Sequence, residues 1–132
     1  MTGKRVVVDA QKAPAGPMGP SLIVSKGHVY IAGAIGDHQD GKLVAGTVQD
    51  RTKRAFANVA DRLSLLGLGL EDIVSVTIYL ANYQKDFAAF NAAYSEVFSG
   101  EYRSMPCRLC LGVSDLWGET DVEVTCVAAT RE

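Results

Sequence analysis

The first third of the chain alternates short apolar runs with turn residues, a pattern typical of β-strands. Residues 6–8 form one apolar run, and residues 13–20 form a loop rich in proline and glycine. Two further β-prone runs, residues 21–25 and 28–32, are separated by Lys26-Gly27, a junction of the kind that closes a hairpin. The pattern therefore predicts three strands before the first helix.

The apolar period becomes helical after Thr47. Thr47 and Asp50 resemble a helix N-cap with an acidic first turn, and Gly67 and Gly69 follow the predicted helix over residues 48–66. The apolar residues that recur at helical spacing within it are Ala55, Phe56, Val59, Ala60, Leu63 and Leu66. They predict one apolar face along the whole helix.

A strand, a second helix and two more strands complete the predicted order. Residues 73–81 alternate apolar and polar positions, as in a strand with one apolar face. A second helix that ends near Gly100 is predicted by one wide apolar stripe. That stripe consists of Phe87, Phe90, Tyr94, Val97 and Phe98. Residues 107–113 and 121–128 are predicted as the last two strands.

The order β-β-β-α-β-α-β-β predicts a single α+β domain over residues 1–132, with a mixed six-stranded sheet and both helices on one face. Two helices can cover only one face of such a sheet. The other face carries valine, tyrosine, threonine and cysteine side chains that are too apolar to leave in water. We therefore expect that face to be buried against copies of the chain in a closed oligomer, with sites between subunits.

Composition limits the classes of partner. The chain has 132 residues, 48% of them hydrophobic, and a formal net charge of -2, which offers no general field for nucleic acid. It contains neither a recognisable signal peptide nor the roughly 20 apolar residues of a membrane span, so we expect a cytoplasmic protein without a membrane partner. Three cysteines suit reduced thiols, and Cys107-Arg-Leu-Cys110 is a weak redox or zinc motif on a strand.

One arginine lies within a predicted apolar strand. Alternation places Cys107 and Leu109 on one face, predicted to be core, and Arg108 and Cys110 on the other, with Glu123 of the last strand. A guanidinium in an apolar cleft suits a small carboxylate ligand, and a nearby glutamate can position or deprotonate water. The alternatives are a structural Arg108–Glu123 salt bridge without chemistry, and a packing role for the Cys110 sulfur.

The last two strands also carry a family resemblance. Pro106-Cys107-Arg108-Leu109-Cys110, Gly112-Val113 and Asp121-Val122-Glu123-Val124 resemble the C-terminal signature of the Rid/YjgF family of reactive-intermediate deaminases. The spacing from Arg108 to Glu123 matches that signature without a gap. Further matching segments are Asp86-Phe87, Phe90-Asn91 with Tyr94, Ile73-Val74 and the stretch from His28 to Gly33. The resemblance covers nearly the whole chain.

This resemblance implies a homotrimer of chorismate-mutase-like subunits with three clefts between neighbours, and neither a metal nor an organic cofactor. By similarity, Arg108 binds the substrate carboxylate, and Glu123, with groups around Cys110, positions the attacking water. The further substrate-binding residues that it implies are Gly33, Asn91 and Trp117. The implied reaction is hydrolysis of a 2-imino acid, or an enamine tautomer such as 2-aminoacrylate, to a 2-oxo acid and ammonia.

Several positions depart from the family pattern. Met18 stands where an aromatic residue is frequent, and Ala32 and Ala34 replace a serine and a glutamine that flank the glycine. Trp117 stands where many members have proline, and Thr125 replaces a second acidic residue of the last strand. These changes favour a pathway-specific enzyme acting on a larger imine or enamine. A trimer that binds ligands without catalysis is a further alternative, because the resembled family is also associated with translation inhibition and ribonuclease labels.

Overall fold

The computed structural model describes residues 2–7 and 18–131, so Val8 and most of the predicted loop over residues 13–20 lie outside the described residues. The strands are β1 (Lys4–Val7), β2 (Leu22–Ser25), β3 (His28–Ile35), β4 (Ile73–Leu80), β5 (Cys107–Gly112) and β6 (Val122–Ala129). The helices are α1 (Val48–Ser64), between β3 and β4, and α2 (Tyr83–Val97), between β4 and β5. The predicted order of elements is confirmed.

The six strands form one mixed sheet in the order β1-β2-β3-β6-β4-β5. Only the β4–β5 pair is parallel, and α2 makes the crossover that a parallel pair requires. β5 therefore lies at one edge of the sheet, with β4 as its single strand neighbour. Within the described part of the chain, neither helix is long and apolar enough to cross a membrane.

Two local predictions are confirmed in detail. Thr47 caps α1 through a capping box: the Asp50 amide donates to Thr47 Oγ1 at 3.4 Å, and the Thr47 amide donates to Asp50 Oδ2 at 2.8 Å. Lys26 and Gly27 join β2 to β3 with positive φ angles of 49° and 80°, as a two-residue hairpin turn requires.

Both helices pack on the same face of the sheet, which we call the helix face. Phe56 of α1 and Phe90 of α2 are fully buried in one core with alternate residues of the central strands. Those strand residues are Val76, Ile78 and Leu80 of β4 and Val122, Val124 and Cys126 of β6. The single-layer arrangement of helices predicted from the sequence is confirmed.

No helix of the described residues packs on the opposite face of the sheet, and we call it the open face. Its residues are Tyr30 and Ala32 of β3, Ser75, Thr77 and Tyr79 of β4, Cys107, Leu109 and Leu111 of β5, and Glu123, Thr125 and Val127 of β6. Large apolar groups lie exposed there, since Tyr30 is 49% and Leu109 61% exposed in the single chain. This apolar surface is of the kind that monomers rarely leave in water.

The predicted orientation of β5 is wrong. Arg108 pairs with Val76 and Cys110 pairs with Ile78, both of which are buried beneath the helices, so Arg108 and Cys110 lie on the helix face. Leu109, predicted to be core, lies exposed on the open face. Alternation separates two faces of a strand, but an edge strand with apolar residues on both sides does not reveal which face the helices cover.

Candidate functional site

Arg108 projects from the edge strand β5 toward the side of α2. Its Nη2 donates a hydrogen bond to Asn91 Oδ1 at 2.6 Å. Its guanidinium carbon lies 4.6 Å from the ring centroid of Tyr94 and 5.7 Å from that of Phe90. The structure therefore brings two predicted site residues, Arg108 and Asn91, into direct contact.

The positive charge of Arg108 has no carboxylate beside it in the part of the chain that the structure describes. In residues 2–7 and 18–131, the ion pairs within 4.0 Å are made by Arg51, Lys53 and Arg131, and none includes Arg108. Its partners, an amide oxygen and two aromatic rings, are all neutral. The guanidinium is held in place while its charge stays available to an anion.

Glu123 lies on the open face of β6, where its carboxylate rests against the backbone of Gly33 in β3. A Cβ atom added at Gly33 would lie 3.0 Å from Glu123 Cδ and would overlap Oε2. The strand β3 changes register between Ile31 and Ala34, next to this contact. Glu123 and Gly33, both predicted site residues, are thus brought together.

The surroundings of Glu123 favour its protonated form. Burial raises the pKa of this carboxyl above its ordinary value near 4.5. None of the ion pairs within the described ranges involves it. A half-buried carboxylate with a raised pKa is suited to hold a water molecule and accept its proton.

The two pairs of site residues lie on opposite faces of the sheet. Arg108 shares the helix face with Val76, whereas Glu123 shares the open face with Tyr79. The prediction that alternation places Arg108 and Glu123 on the same face is wrong, and the two side chains form no salt bridge within one chain. The prediction assumed that a charged side chain would lie on the face without helices. In the structure, α2 provides a hydrogen-bond acceptor and two ring faces that contact Arg108.

Cys110 lies two residues beyond Arg108 on the same face and packs against the core. Burial raises the pKa of the Cys110 thiol, and the positive charge of Arg108 opposes this only in part. A thiol with a raised pKa is mostly neutral near pH 7 and is a poor nucleophile. Cys107 lies on the other face of β5, with its Sγ 3.4 Å from Val74 O. The environment of Cys110 favours the packing alternative.

Trp117 and the alanines around Gly33 lie apart from these contacts. The Trp117 indole is 69% exposed in the connection between β5 and β6, and no hydrogen bond or ring stacking joins it to another described site residue. Ala32 is exposed, whereas Ala34 is buried in the core at 1% exposure. The departure from the family pattern at position 34 therefore lies in the core.

Phe90 and Tyr94 were not predicted as neighbours of Arg108, because both rings fit the core stripe of α2. The available signal was their spacing around Asn91, since residues three or four apart line one side of a helix. Using it required knowing that the strand with Arg108 passes beneath that side.

A concave region lies at the end of β5 and the start of α2, away from these residues. It is broadly open, with a volume of about 530 Å³, and its lining includes Asn82, Tyr83, Lys85, Gly112 and Ser114. Across the described residues, no three His, Cys, Asp or Glu side chains come together as a metal site would require.

A comparison with known families decides the classification. The family model described as Endoribonuclease L-PSP matches residues 10–130. The chain belongs to the Rid/YjgF family. A RutC family protein of Pyrococcus abyssi is 38% identical to this Rid/YjgF chain over 125 residues, which cover 92% of the chain and 94% of that protein. The family resemblance found in the sequence is confirmed.

Two further relatives of this Rid/YjgF chain carry functional descriptions. The 2-iminobutanoate/2-iminopropanoate deaminase of Dermatophagoides farinae is 32% identical over 127 residues, covering 94% of each chain. The crystal structure of E. coli TdcF with bound serine has a TM-score of 0.83 and 26% sequence identity, covering 96% of this chain and 100% of that one. The L-PSP/YjgF fold is thus shared over nearly the full length.

Proposed function

We propose that this chain hydrolyses reactive 2-imino acids, or their enamine tautomers, to 2-oxo acids and ammonia. The observation that carries the proposal is Arg108, a guanidinium held by Asn91 and two rings, with no carboxylate partner among the residues that the structure describes. A planar guanidinium binds a carboxylate in a bidentate manner. The named activity of the Dermatophagoides farinae relative and the serine bound to TdcF support a small carboxylate-bearing substrate.

The chemistry needs orientation, one water molecule and a proton acceptor. Arg108 binds the carboxylate and presents the adjacent imine carbon. The imine reacts in its protonated iminium form: water adds to that carbon as one water proton passes to Glu123, and a neutral tetrahedral 2-amino-2-hydroxy acid forms. Glu123 then returns that proton to the amino nitrogen, the C–N bond breaks to release ammonia, and the hydroxyl gives its proton to Glu123 as it becomes the 2-oxo group. The raised pKa of Glu123 brings it closer to working pH for these transfers.

Two copies of the chain are needed to bring Arg108 and Glu123 to one substrate. The two side chains lie on opposite faces of their own sheet. An edge strand β5 packed on the open face of a neighbour would place Arg108 of one copy near Glu123 of the other. The exposed Tyr30 and Leu109 side chains support such packing. We therefore propose a homotrimer with three clefts, each completed by two copies.

The test is release of ammonia and 2-oxobutanoate from 2-iminobutanoate, which an amino acid oxidase generates in the assay. We expect wild type to accelerate release and both Arg108→Ala and Glu123→Ala to abolish the acceleration. Arg131→Ala is the matched control, because Arg131 is an exposed arginine already paired with Asp72 at 2.8 Å. An Arg108→Ala protein as fast as wild type would overturn the proposal.

A second candidate is the same hydrolysis on a larger imine. It is favoured by the exposed indole of Trp117 in the connection that follows β5, which can contact a bulky substrate. Imines of branched and aromatic amino acids, generated in the same assay, distinguish the two. A Trp117→Ala protein that loses activity on those imines and keeps it on 2-iminobutanoate would support the larger substrate.

A further inference from the structure

Arg108 rests on a rigid aromatic cluster within the helix layer. The Tyr94 ring, the nearer of the two under the guanidinium, is itself buried against other rings. Its centroid lies 4.8 Å from that of Phe98, 5.8 Å from that of Phe56 and 5.8 Å from that of Phe90. Because three other rings pack against it, the Tyr94 ring has little freedom to move and provides a rigid support.

Arg51 is also held in place, but by a carboxylate and not by aromatic rings. Arg51 donates from Nε and Nη2 to Asp121 at 2.8 and 2.7 Å, so a carboxylate already neutralises its charge. A ring face attracts a guanidinium through its quadrupole and leaves the positive charge in place. Asn91 Oδ1 also orients Arg108 without neutralising it. Both guanidinium groups are thus held in place, but a carboxylate neutralises the charge of Arg51, whereas the contacts of Arg108 leave its charge unneutralised.

We propose that Tyr94 is the positioning residue for Arg108. Its ring, supported by Phe90, holds the guanidinium where a substrate carboxylate meets it, and Asn91 sets the orientation of the guanidinium plane. The proposal rests on the proposed role of Arg108 as the carboxylate-binding group. Tyr94 acts through Arg108 and has no part in the bond-making steps.

The ring of Tyr94, and not its hydroxyl, carries this role. The hydroxyl is buried and lacks a hydrogen-bond partner among the described residues. A buried hydroxyl without a hydrogen-bond partner destabilises the folded state, and removing it leaves the ring face unchanged. Tyr94→Phe is therefore the conservative variant that keeps the support, and Tyr94→Leu is the variant that removes it.

The first readout is the NMR signal of the Arg108 side-chain Nε–H group, assigned by its absence from Arg108→Lys. A proton over an aromatic face is shifted by the ring current, and this shift needs no ligand. We expect Tyr94→Leu to move the signal to the position of a solvent-exposed arginine, and Tyr94→Phe to keep it. Phe98→Leu is the matched control, because Phe98 is equally buried in the same cluster and is not under Arg108.

The second readout is the dissociation constant for 2-oxobutanoate, together with the kinetics on 2-iminobutanoate. We expect Tyr94→Leu to weaken binding about threefold to thirtyfold, the range of a cation–π contact. KM should rise by the same factor with kcat unchanged, because the carboxylate is bound equally in ground and transition states. Tyr94→Phe should bind as wild type does.

Two results would overturn the proposal. One is a Tyr94→Leu protein with the wild-type Arg108 signal and wild-type affinity. The other is a Phe98→Leu protein that changes both as much as Tyr94→Leu, which would mean general loosening of the cluster. Tyr94→Met, whose flexible side chain fills an irregular space better, replaces the leucine variant if that one fails to fold. If wild type neither binds 2-oxobutanoate nor accelerates ammonia release from 2-iminobutanoate, the proposed function fails, while the NMR signal still decides the positioning role.

Discussion

The contact between Gly33 and the Glu123 carboxylate offers a small and selective perturbation. A Cβ atom at position 33 would lie 3.0 Å from Glu123 Cδ and 3.4 Å from Cγ, and would overlap Oε2. Gly33 is not among the glycines with positive φ, so its backbone suits alanine. The three nearest atoms all belong to the flexible Glu123 side chain. Gly33→Ala should therefore turn the Glu123 carboxylate aside and leave the sheet intact.

The expected magnitudes for stability and activity differ widely. Turning the carboxylate away from the new methyl group forces a poorer rotamer, which costs about 1 kcal/mol in the free energy of unfolding. In a domain of this size that lowers the melting temperature by about 3–5 °C. A catalytic group displaced by about 1 Å loses roughly 100-fold in rate. Activity per folded molecule should fall roughly 100-fold while the protein remains folded.

The assay compares kcat/KM on 2-iminobutanoate and the melting temperature for wild type, Gly33→Ala and Gly69→Ala. Gly69 is the matched control, because the three atoms nearest to a Cβ there all belong to the flexible Glu71 carboxylate, with Cδ at 2.9 Å. In Gly69→Ala the new methyl group therefore displaces a carboxylate other than that of Glu123, and activity should be unchanged. A folded Gly33→Ala protein with activity within about threefold of wild type would refute the role of Glu123.

Two further predictions concern stability. Arg51→Ala should lower the free energy of unfolding by about 2–4 kcal/mol in urea titrations, because it leaves the half-buried Asp121 carboxylate unpaired. Lys53→Ala, which removes an exposed ion pair, should leave stability nearly unchanged, and equal losses would contradict this account. The raised pKa of Glu123 means that the folded state binds its proton more tightly than the unfolded state. Wild type should therefore lose stability relative to Glu123→Gln as the pH rises from about 4 to about 7, and a pH-independent difference in melting temperature would show that the carboxyl is not desolvated.

Local signals in the sequence predicted most of the fold. The Thr47 and Asp50 capping box and the Lys26-Gly27 turn depend on residues within four positions of each other, so their pattern is visible along the chain. The helical stripe of α2 and the alternation of β4 likewise reflect one element at a time. The family signature added the expectation that Arg108 is functional.

The orientation of β5 and the surroundings of Arg108 depend on long-range register. Alternation grouped Arg108 with Cys110 correctly, but it did not show that Val76 pairs with Arg108 beneath α2. The contact of Arg108 with Tyr94 joins a strand and a helix whose alignment no local pattern specifies. The contact between Gly33 and Glu123 likewise depends on the register of β3 against β6.

We expect each cleft to take Arg108 from one copy and Glu123 from another, and mixing two inactive variants shows whether it does. Arg108→Ala and Glu123→Ala chains, each inactive alone, are unfolded together in equal amounts and reassembled. If the two residues come from different copies, each half of a cleft has an even chance of carrying its intact residue. Random assembly then restores both residues in about a quarter of the clefts.

The same mixing of Glu123→Ala with Gly33→Ala is the control. Gly33 and Glu123 belong to one half of the cleft in the same copy, so this mixture should gain no activity. The account predicts about a quarter of wild-type activity from the first mixture and none beyond the separate chains from the second. If wild type is active and the mixed oligomers of Arg108→Ala with Glu123→Ala stay inactive, the two residues do not come from different copies.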